Sequence, residues 1–311
     1  MKIKLKCLAA MALSVCMLAA AMTGCEEQTE EPEGLNVHFF QFDETDKKWG
    51  DCTLFTFPDG SNMLVDCGMK LVGEYLVNDL IAMGVETIDV LVLSHFHSDH
   101  IGSFQAIVDN FDVKQVYSPG FVPAECEWIE AEIERLEIPY EYLHAGDAFT
   151  IGGVEAKVLW PTADLAAENP AAPWDDTNLV IDTNNRSMVF RLDYEETSVL
   201  MTGDIYKEGQ RDLLDYYSDD PSILDADLLK IPHHGYQNAV NEEFINAVTP
   251  QYAVMQGNQI MNKVYYKKYT QAGCTTFAGW MNGDIDMFLC DGSITVSAEN
   301  PEIKEYYRSA M

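Results

Sequence analysis

The sequence predicts an α/β sandwich: two sheets packed face to face with helices outside. Three observations predict it. Short strand-like runs recur with helical stretches between them, in both halves of the chain. One run, Ile88 to Leu93, reads as a buried strand and leads through a histidine-rich turn into a helical segment, Ile101 to Asp109. The 311 residues are 47% hydrophobic, enough to bury a large core.

The elements follow in order. Val37 to Phe42, Thr53 to Phe57 and Met63 to Val65 read as strands, with Pro58-Asp59-Gly60 as the turn between the last two. Val72 to Met83 carries apolar residues at helical spacing. Phe121 to Leu136 reads as an acidic amphipathic helix or a pair of turns. Val154 to Leu159, Ser187 to Leu192 and Ser198 to Met201 are strand-like again. A helix near Tyr206 to Tyr216 precedes a strand, Leu228 to Ile231. Ala253 to Met255, Thr275 to Ala278 and Ile294 to Val296 complete a second set of strands. Ala163 to Asp176 is rich in Pro and Ala and reads as a loop, with Trp174 as a packing anchor.

The N-terminus points outside the cytoplasm. Lys2, Lys4 and Lys6 precede an apolar stretch, Cys7 to Ala21, too short for a comfortable membrane span. Met22-Thr23-Gly24-Cys25 resembles a bacterial lipobox, in which the cysteine is lipidated and becomes the mature N-terminus. Residues 1–24 are then a lipoprotein signal peptide, 25–34 an acidic tether and 35–311 the folded domain. This places the protein on the extracellular face of the cytoplasmic membrane, held by lipid at Cys25 alone. A plain secretory signal and a transmembrane anchor are the alternatives.

Charge narrows the partners. The formal net charge is 19 − 51 = −32. Such a surface repels polyanions, and no block of Lys or Arg forms a nucleic-acid footprint. Of the 8 cysteines, Cys52, Cys67, Cys126, Cys274 and Cys290 lie in the domain without paired spacing, so no disulfide framework is implied. Cys67 adjoins Asp66 and is read as a small packing residue.

The chemistry concentrates in His95-Phe96-His97-Ser98-Asp99-His100, which holds three of the 7 histidines. His95 and His97 project the same way from extended backbone. Imidazole with carboxylate suits a borderline ion such as zinc. His38 and His144 lie outside any motif and are read as structural.

This segment matches the H-x-H-x-D-H signature of the metallo-β-lactamase superfamily. Asn62-Met63-Leu64-Val65-Asp66-Cys67-Gly68 resembles the strand ending in Asp-x-Gly before it. Ser198-Val199-Leu200-Met201-Thr202-Gly203-Asp204 and Leu228-Leu229-Lys230-Ile231-Pro232-His233-His234-Gly235 resemble the later motifs. With Asn184-Asn185-Arg186-Ser187, they are most similar to the hydrolase domain of the ComEC/Rec2 competence proteins. Phosphorylcholine esterases of surface teichoic acid look related.

The resemblance implies a four-layer αββα sandwich holding two divalent metal ions, zinc or else manganese. His95 and His97 would hold the first ion. Asp99, His100 and His234 would hold the second, and Asp204 would bridge the two through its two oxygens. Asp66 would orient a ligand imidazole. Asn184 or Asn185 stands where many members have a histidine, a weaker ligand for the first ion. Tyr236 stands where the competence proteins tend to have Ser. Adjacent His233 and His234 cannot both face one spot in extended backbone, so His234 is assigned to metal and His233 to the substrate's anionic oxygen. Asp99 and His233 are the catalytic candidates.

The implied activity is hydrolysis of a phosphate ester by hydroxide generated at the ions. The substrate would be a small molecule or a surface-polymer ester in preference to long nucleic acid. A lactonase or β-lactamase acting on cyclic carboxyl compounds, and a noncatalytic surface-binding module, are the alternatives.

Overall fold

The computed structural model describes residues 34–42, 49–167, 177–257 and 265–301. The expected signal peptide, Cys25, nearly all of the tether and Trp174 lie outside the described residues.

Two sheets carry the fold. One has eight strands in the order β17-β16-β1-β2-β3-β5-β7-β8. Its members are β1 (Leu35–Phe39), β2 (Thr53–Thr56), β3 (Asn62–Val65), β5 (Val90–Val92), β7 (Val116–Ser118), β8 (Tyr140–Tyr142), β16 (Ile285–Cys290) and β17 (Ser293–Ala298). The other has seven, in the order β15-β14-β13-β12-β11-β10-β9. These are β9 (Ala148–Ile151), β10 (Val154–Trp160), β11 (Val189–Tyr194), β12 (Thr197–Met201), β13 (Leu228–Lys230), β14 (Tyr252–Met255) and β15 (Thr275–Ala278).

The period-two alternation of strands sorts the side chains into layers. Met63, Val65, Val90 and Val92 from the first sheet meet Val199, Met201, Leu228 and Val254 from the second in one central core. Leu64 and Leu91 point the other way, into a core shared with the helices Gly73–Ala82, Phe104–Asn110 and Glu127–Arg135. Leu200, Leu229, Ala253 and Met255 do the same on the second sheet, against the helices Lys207–Tyr216, Glu242–Val248 and Tyr266–Gln271. The layers therefore run helix, sheet, sheet, helix.

Several elements depart from the expectation. The run Ile88 to Leu93 splits at Asp89, whose Oδ2 accepts from Asn62 N at 2.8 Å. Its first part, β4 (Thr87–Ile88), pairs with β6 (Asp112–Val113) in a separate two-stranded sheet. The expected helix Ile101 to Asp109 instead starts at Ser98, stops at Ile101 and resumes from Phe104 to Asn110. Gly102 sits at the break, and a Cβ there would lie 2.3 Å from Lys70 N. Ile294 to Val296 belongs to the first sheet, not the second, because β17 pairs with β16. The expected loop begins as a helical turn, Ala163–Ala166, capped by Thr162. A helix, Thr177–Asn185, then carries the two asparagines.

Candidate metal centre

The sheets place the site at one rim. β3 pairs parallel with β5, and β12 parallel with β13, so the ends of these four strands open toward the same edge. Asp66 follows β3, His95 to His100 follow β5, Asp204 follows β12, and His233 and His234 follow β13.

Each turn has a local cause. Asp66 takes a left-handed backbone, with φ of 59°. Its carboxylate then accepts from Ser94 N at 2.8 Å and from Ser94 Oγ at 2.7 Å. Its Oδ2 also stands 2.8 Å from His100 Nδ1. Gly50 has φ of 126°, and a Cβ there would lie 2.2 Å from the Asp99 carbonyl. That close approach seats Asp51 beneath the site, where Asp51 N donates to Asp99 O at 3.0 Å.

The imidazoles converge on one oxygen. Asp204 Oδ2 lies 3.1 Å from His100 Nε2 and 3.1 Å from His234 Nε2. It lies 4.0 Å from His95 Nε2 and 4.0 Å from His233 Nε2. Asp99 Oδ2 is 3.1 Å from His234 Nε2 and 3.8 Å from His100 Nε2. His95 Nε2 meets His97 Nδ1 at 3.0 Å. The two oxygens of Asp204 face different partners. Its Oδ1 turns to Lys230 Nζ at 3.3 Å, which leaves Oδ2 alone facing the histidines.

Divalent ions fit this cluster. Ligand atoms about 2.0–2.2 Å from one zinc stand about 3–3.5 Å apart in a tetrahedron, close to the shorter spacings observed. The tautomers agree. His100 Nδ1 faces Asp66, and His234 Nδ1 faces Asp51 at 2.9 Å. With each Nδ1 held by a carboxylate, each Nε2 faces a further carboxylate oxygen, an arrangement that calls for a proton or a metal ion between them. His100 Nε2 is buried and makes no hydrogen bond.

The field says the same. Burial is the largest influence and opposes charge on His100 and His234, but the carboxylates together outweigh it, Asp204 first, then Asp66 for His100 and Asp51 for His234, and hold both pKa values well above the usual imidazole range. Burial likewise opposes the carboxylate of Asp204, yet His100, His234 and Lys230 keep it well below the usual range. Burial pushes His95 well down, helped by His100 and His97.

Two residues at the centre were not anticipated. Asp51 stands within 4.8 Å of His100, Asp204 and His234 as a possible ligand group. Its Oδ1 stands 2.9 Å from His234 Nδ1 and its Oδ2 pairs with Lys230 Nζ, so it also orients the His234 ring. Lys230 is 2% exposed. A lysine in the apolar run Leu228 to Ile231 was a readable signal, since an unpaired buried charge is untenable. Asp51 had no such signal.

Asn184 and Asn185 separate cleanly. Asn184 is buried, lies beside His97 and Tyr206, and has an Oδ1 without a hydrogen-bond partner. Asn185 Oδ1 instead accepts from Tyr206 N and Gly209 N, and so anchors the next helix.

His233 and His234 both take left-handed backbone, with φ of 45° and 51°. The extended backbone assumed from sequence is absent, so both imidazoles reach Asp204. His233 Nδ1 lies 2.9 Å from Asn238 Oδ1. Burial lowers its pKa to about 4, so it is neutral at pH 7. With Nδ1–H given to Asn238, Nε2 is bare. That Nε2 faces Asp204 Oδ2 at 4.0 Å.

The remaining expected residues sit elsewhere. His38 is buried against Asp286, at 2.9 Å, and His144 lies near Asp147. Cys67 is buried in the outer core, and its thiol donates to His100 O at 3.1 Å.

A cleft of about 220 Å³ opens over the cluster, lined by His97, Ser98, Asp99, Asn184, Tyr206 and His233 among others. Tyr206 and Tyr236 flank His233, with ring centroids 4.6 and 4.9 Å away.

Known proteins resemble this chain in sequence or fold. ComE operon protein 3 of Bacillus subtilis (strain 168) is 30% identical over 189 residues, which are 60% of this chain and 22% of that protein. Competence protein ComA of Neisseria gonorrhoeae is 29% identical over 194 residues, 62% of this chain and 23% of that protein. The chain thus spans under a quarter of either competence protein. Ribonuclease Z of Mycobacterium avium (strain 104) is 28% identical over 160 residues, 47% of this chain and 53% of that protein. A crystal structure of a metal-dependent hydrolase of the β-lactamase superfamily shares the fold, with a TM-score of 0.51 and 12% identity. It covers 78% of this chain and 95% of its own. Residues 50–257, which include every residue of the cluster, match the Metallo-beta-lactamase superfamily, and the chain belongs to that superfamily of metal-dependent hydrolases.

Proposed function

We propose that this protein hydrolyses phosphate esters with two divalent ions at the Asp204 cluster. The observation that carries the reading is the single oxygen, Asp204 Oδ2, faced by four imidazole nitrogens at 3.1 to 4.0 Å. His95, His97 and Asn184 would hold one ion and Asp99, His100 and His234 the other, with Asp204 between them. When bound, such ions polarise a phosphoryl oxygen and acidify water. Zinc suits the imidazole majority, and the amide of Asn184 leaves room for manganese.

The chain's own groups supply the rest. Asp99 orients the attacking water. His233 Nε2, bare and neutral, accepts a proton at the cleft. Tyr206 and Tyr236 hold that imidazole in place and limit the size of what enters.

Three considerations favour phosphate esters over cyclic carboxyl compounds. Asn184 replaces the histidine common in the superfamily. The competence proteins are the relatives at 29% and 30% identity. A further relative is named for action on RNA. The location follows from Lys2 to Cys25, which support a lipid-anchored protein on the outer face of the cytoplasmic membrane.

A panel of phosphodiesters, phosphomonoesters, lactones and β-lactams tests the activity. Turnover confined to phosphate esters, lost with chelator and restored by zinc or manganese, is expected. Turnover confined to lactones or β-lactams would overturn the reading.

A further inference from the structure

We infer that Lys230 is a positioning residue of the metal centre, a buried tie that fixes Asp51 and Asp204 before any ion arrives. The inference deepens the two-ion reading above and rests on it for the ligands alone.

The geometry is specific. Lys230 Nζ donates to Gly203 O at 2.9 Å and to Asp204 Oδ1 at 3.3 Å, and it pairs with Asp51 Oδ2. The backbone of Lys230 is held as well, since Thr202 Oγ1 donates to its carbonyl at 2.8 Å. Asp51 in turn holds His234 Nδ1. One ammonium therefore controls the orientation of a ligand imidazole through Asp51. It also dictates which oxygen Asp204 presents to the four histidines. With Oδ1 withheld, only Oδ2 remains for the centre.

Lys230 acts from behind. It does not line the cleft, which is bounded by other residues. It lines a narrow space of about 10 Å³ between the sheets, together with Asp51, Asp66, Thr53, Ser94 and Gln256. That space admits at most about one water, so the ammonium has no hydrated alternative to its carboxylates. It cannot touch a substrate or serve as a proton donor to one.

Charge gives the tie a second effect. Asp51, Asp66, Asp99 and Asp204 bring four negative charges, and Lys230 brings one positive. Two divalent ions would then leave the loaded centre one unit positive, where without Lys230 it would be neutral. A net cation attracts an anionic ester and gains nothing with a neutral lactone.

The two effects of removing Lys230 oppose each other at the ions. Loss of a positive charge alone would tighten metal binding. Loss of positioning would loosen it. We expect loosening to win. The test is a competition titration of the metal-free protein with zinc and a chelating indicator, which needs no substrate. Failure of ester hydrolysis would therefore leave this test standing. Lys230→Met should weaken zinc binding tenfold or more while circular dichroism shows the fold retained. Unchanged or tighter binding by the folded variant would overturn the inference.

If Lys230→Met fails to fold, the Asp51→Asn/Lys230→Met double variant removes the unpaired carboxylate and keeps an acceptor for His234 Nδ1. A folded double variant that binds zinc as tightly as the parent overturns the inference. One that folds and still binds at least tenfold more weakly upholds it.

Discussion

His234 Nδ1 lies 2.9 Å from Asp51 Oδ1, and this pair fixes which ring nitrogen of His234 faces the cleft. The partner was invisible in the sequence, yet the assignment of His234 to metal depends on it. Asp51→Ala should weaken zinc binding by roughly 10–100-fold, the range for loss of such an orienting group. Asp51→Asn, which keeps an acceptor, should do less. A chelator-competition titration measures both, and equal affinity in Asp51→Ala and the parent would remove Asp51 from the centre.

Metal content should follow the geometry. About two divalent ions per chain are expected in the reconstituted protein. Asp204→Ala should disturb both, because Oδ2 lies within 4.0 Å of Nε2 of His95, His100, His233 and His234. His234→Ala should remove chiefly the ion shared with Asp99 and His100. Elemental analysis after dialysis reads each outcome. A protein that holds no stoichiometric zinc or manganese would end the hydrolase proposal.

Ion binding should release protons. In the metal-free protein His100 and His234 have folded-state pKa values held well above normal. The stability they contribute is full below about pH 6.5 and is lost as pH rises through the raised values. His233 runs the opposite way. Its folded pKa of about 4 means that the unfolded chain takes up a proton the folded one refuses, so stability falls from about pH 6.5 down to about 4. Zinc displaces the protons on His100 and His234, so binding near pH 7 should release up to about two per chain. Calorimetry in buffers of different ionisation enthalpy counts them, and a buffer-independent heat would contradict the assignment.

His233→Ala should slow turnover about a hundredfold, the loss expected when a positioned acid or base is removed, while metal content stays intact. Asn238→Ala frees Nδ1 and should reproduce part of that loss. If His233→Ala loses an ion as well, His233 is a ligand.

Substrate choice should reflect the net charge of −32. Small or zwitterionic phosphate esters are expected to turn over in preference to long duplex DNA, whose many phosphates the acidic surface repels. Efficient cleavage of long duplex DNA at physiological salt, with small phosphodiesters ignored, would favour a competence-type nuclease. Cys25→Ala should release the protein from membranes or block its maturation, as fractionation would show.

The sequence carried the layered architecture because the central strands alternate cleanly, as at Met63, Leu64 and Val65. It missed β6, β7, β8, β9 and β16, which are short or carry polar residues such as Asp286 in a half-buried strand. The motif residues were legible because they cluster within a few positions. Asp51 was not, since its role comes from pairing with Lys230 across 179 positions of chain, a relation that only the folded strands create. The left-handed turn at His233 and His234 also escaped. Neither residue type signals positive φ, and the surrounding structure imposes it.

Half of the cluster comes from the first sheet, Asp51 to His100, and half from the second, Asn184 to His234. An ion seated there is a clasp across the open rim of two otherwise separate sheets. The rest of the interface is apolar and holds with or without it. Chelation should therefore leave the molecule folded and the rim looser, with the Lys230–Asp51 and His234–Asp51 contacts still spanning it. Amide exchange would quicken around His95 to Asp99 and Thr202 to Gly235 and stay slow along the interior strands.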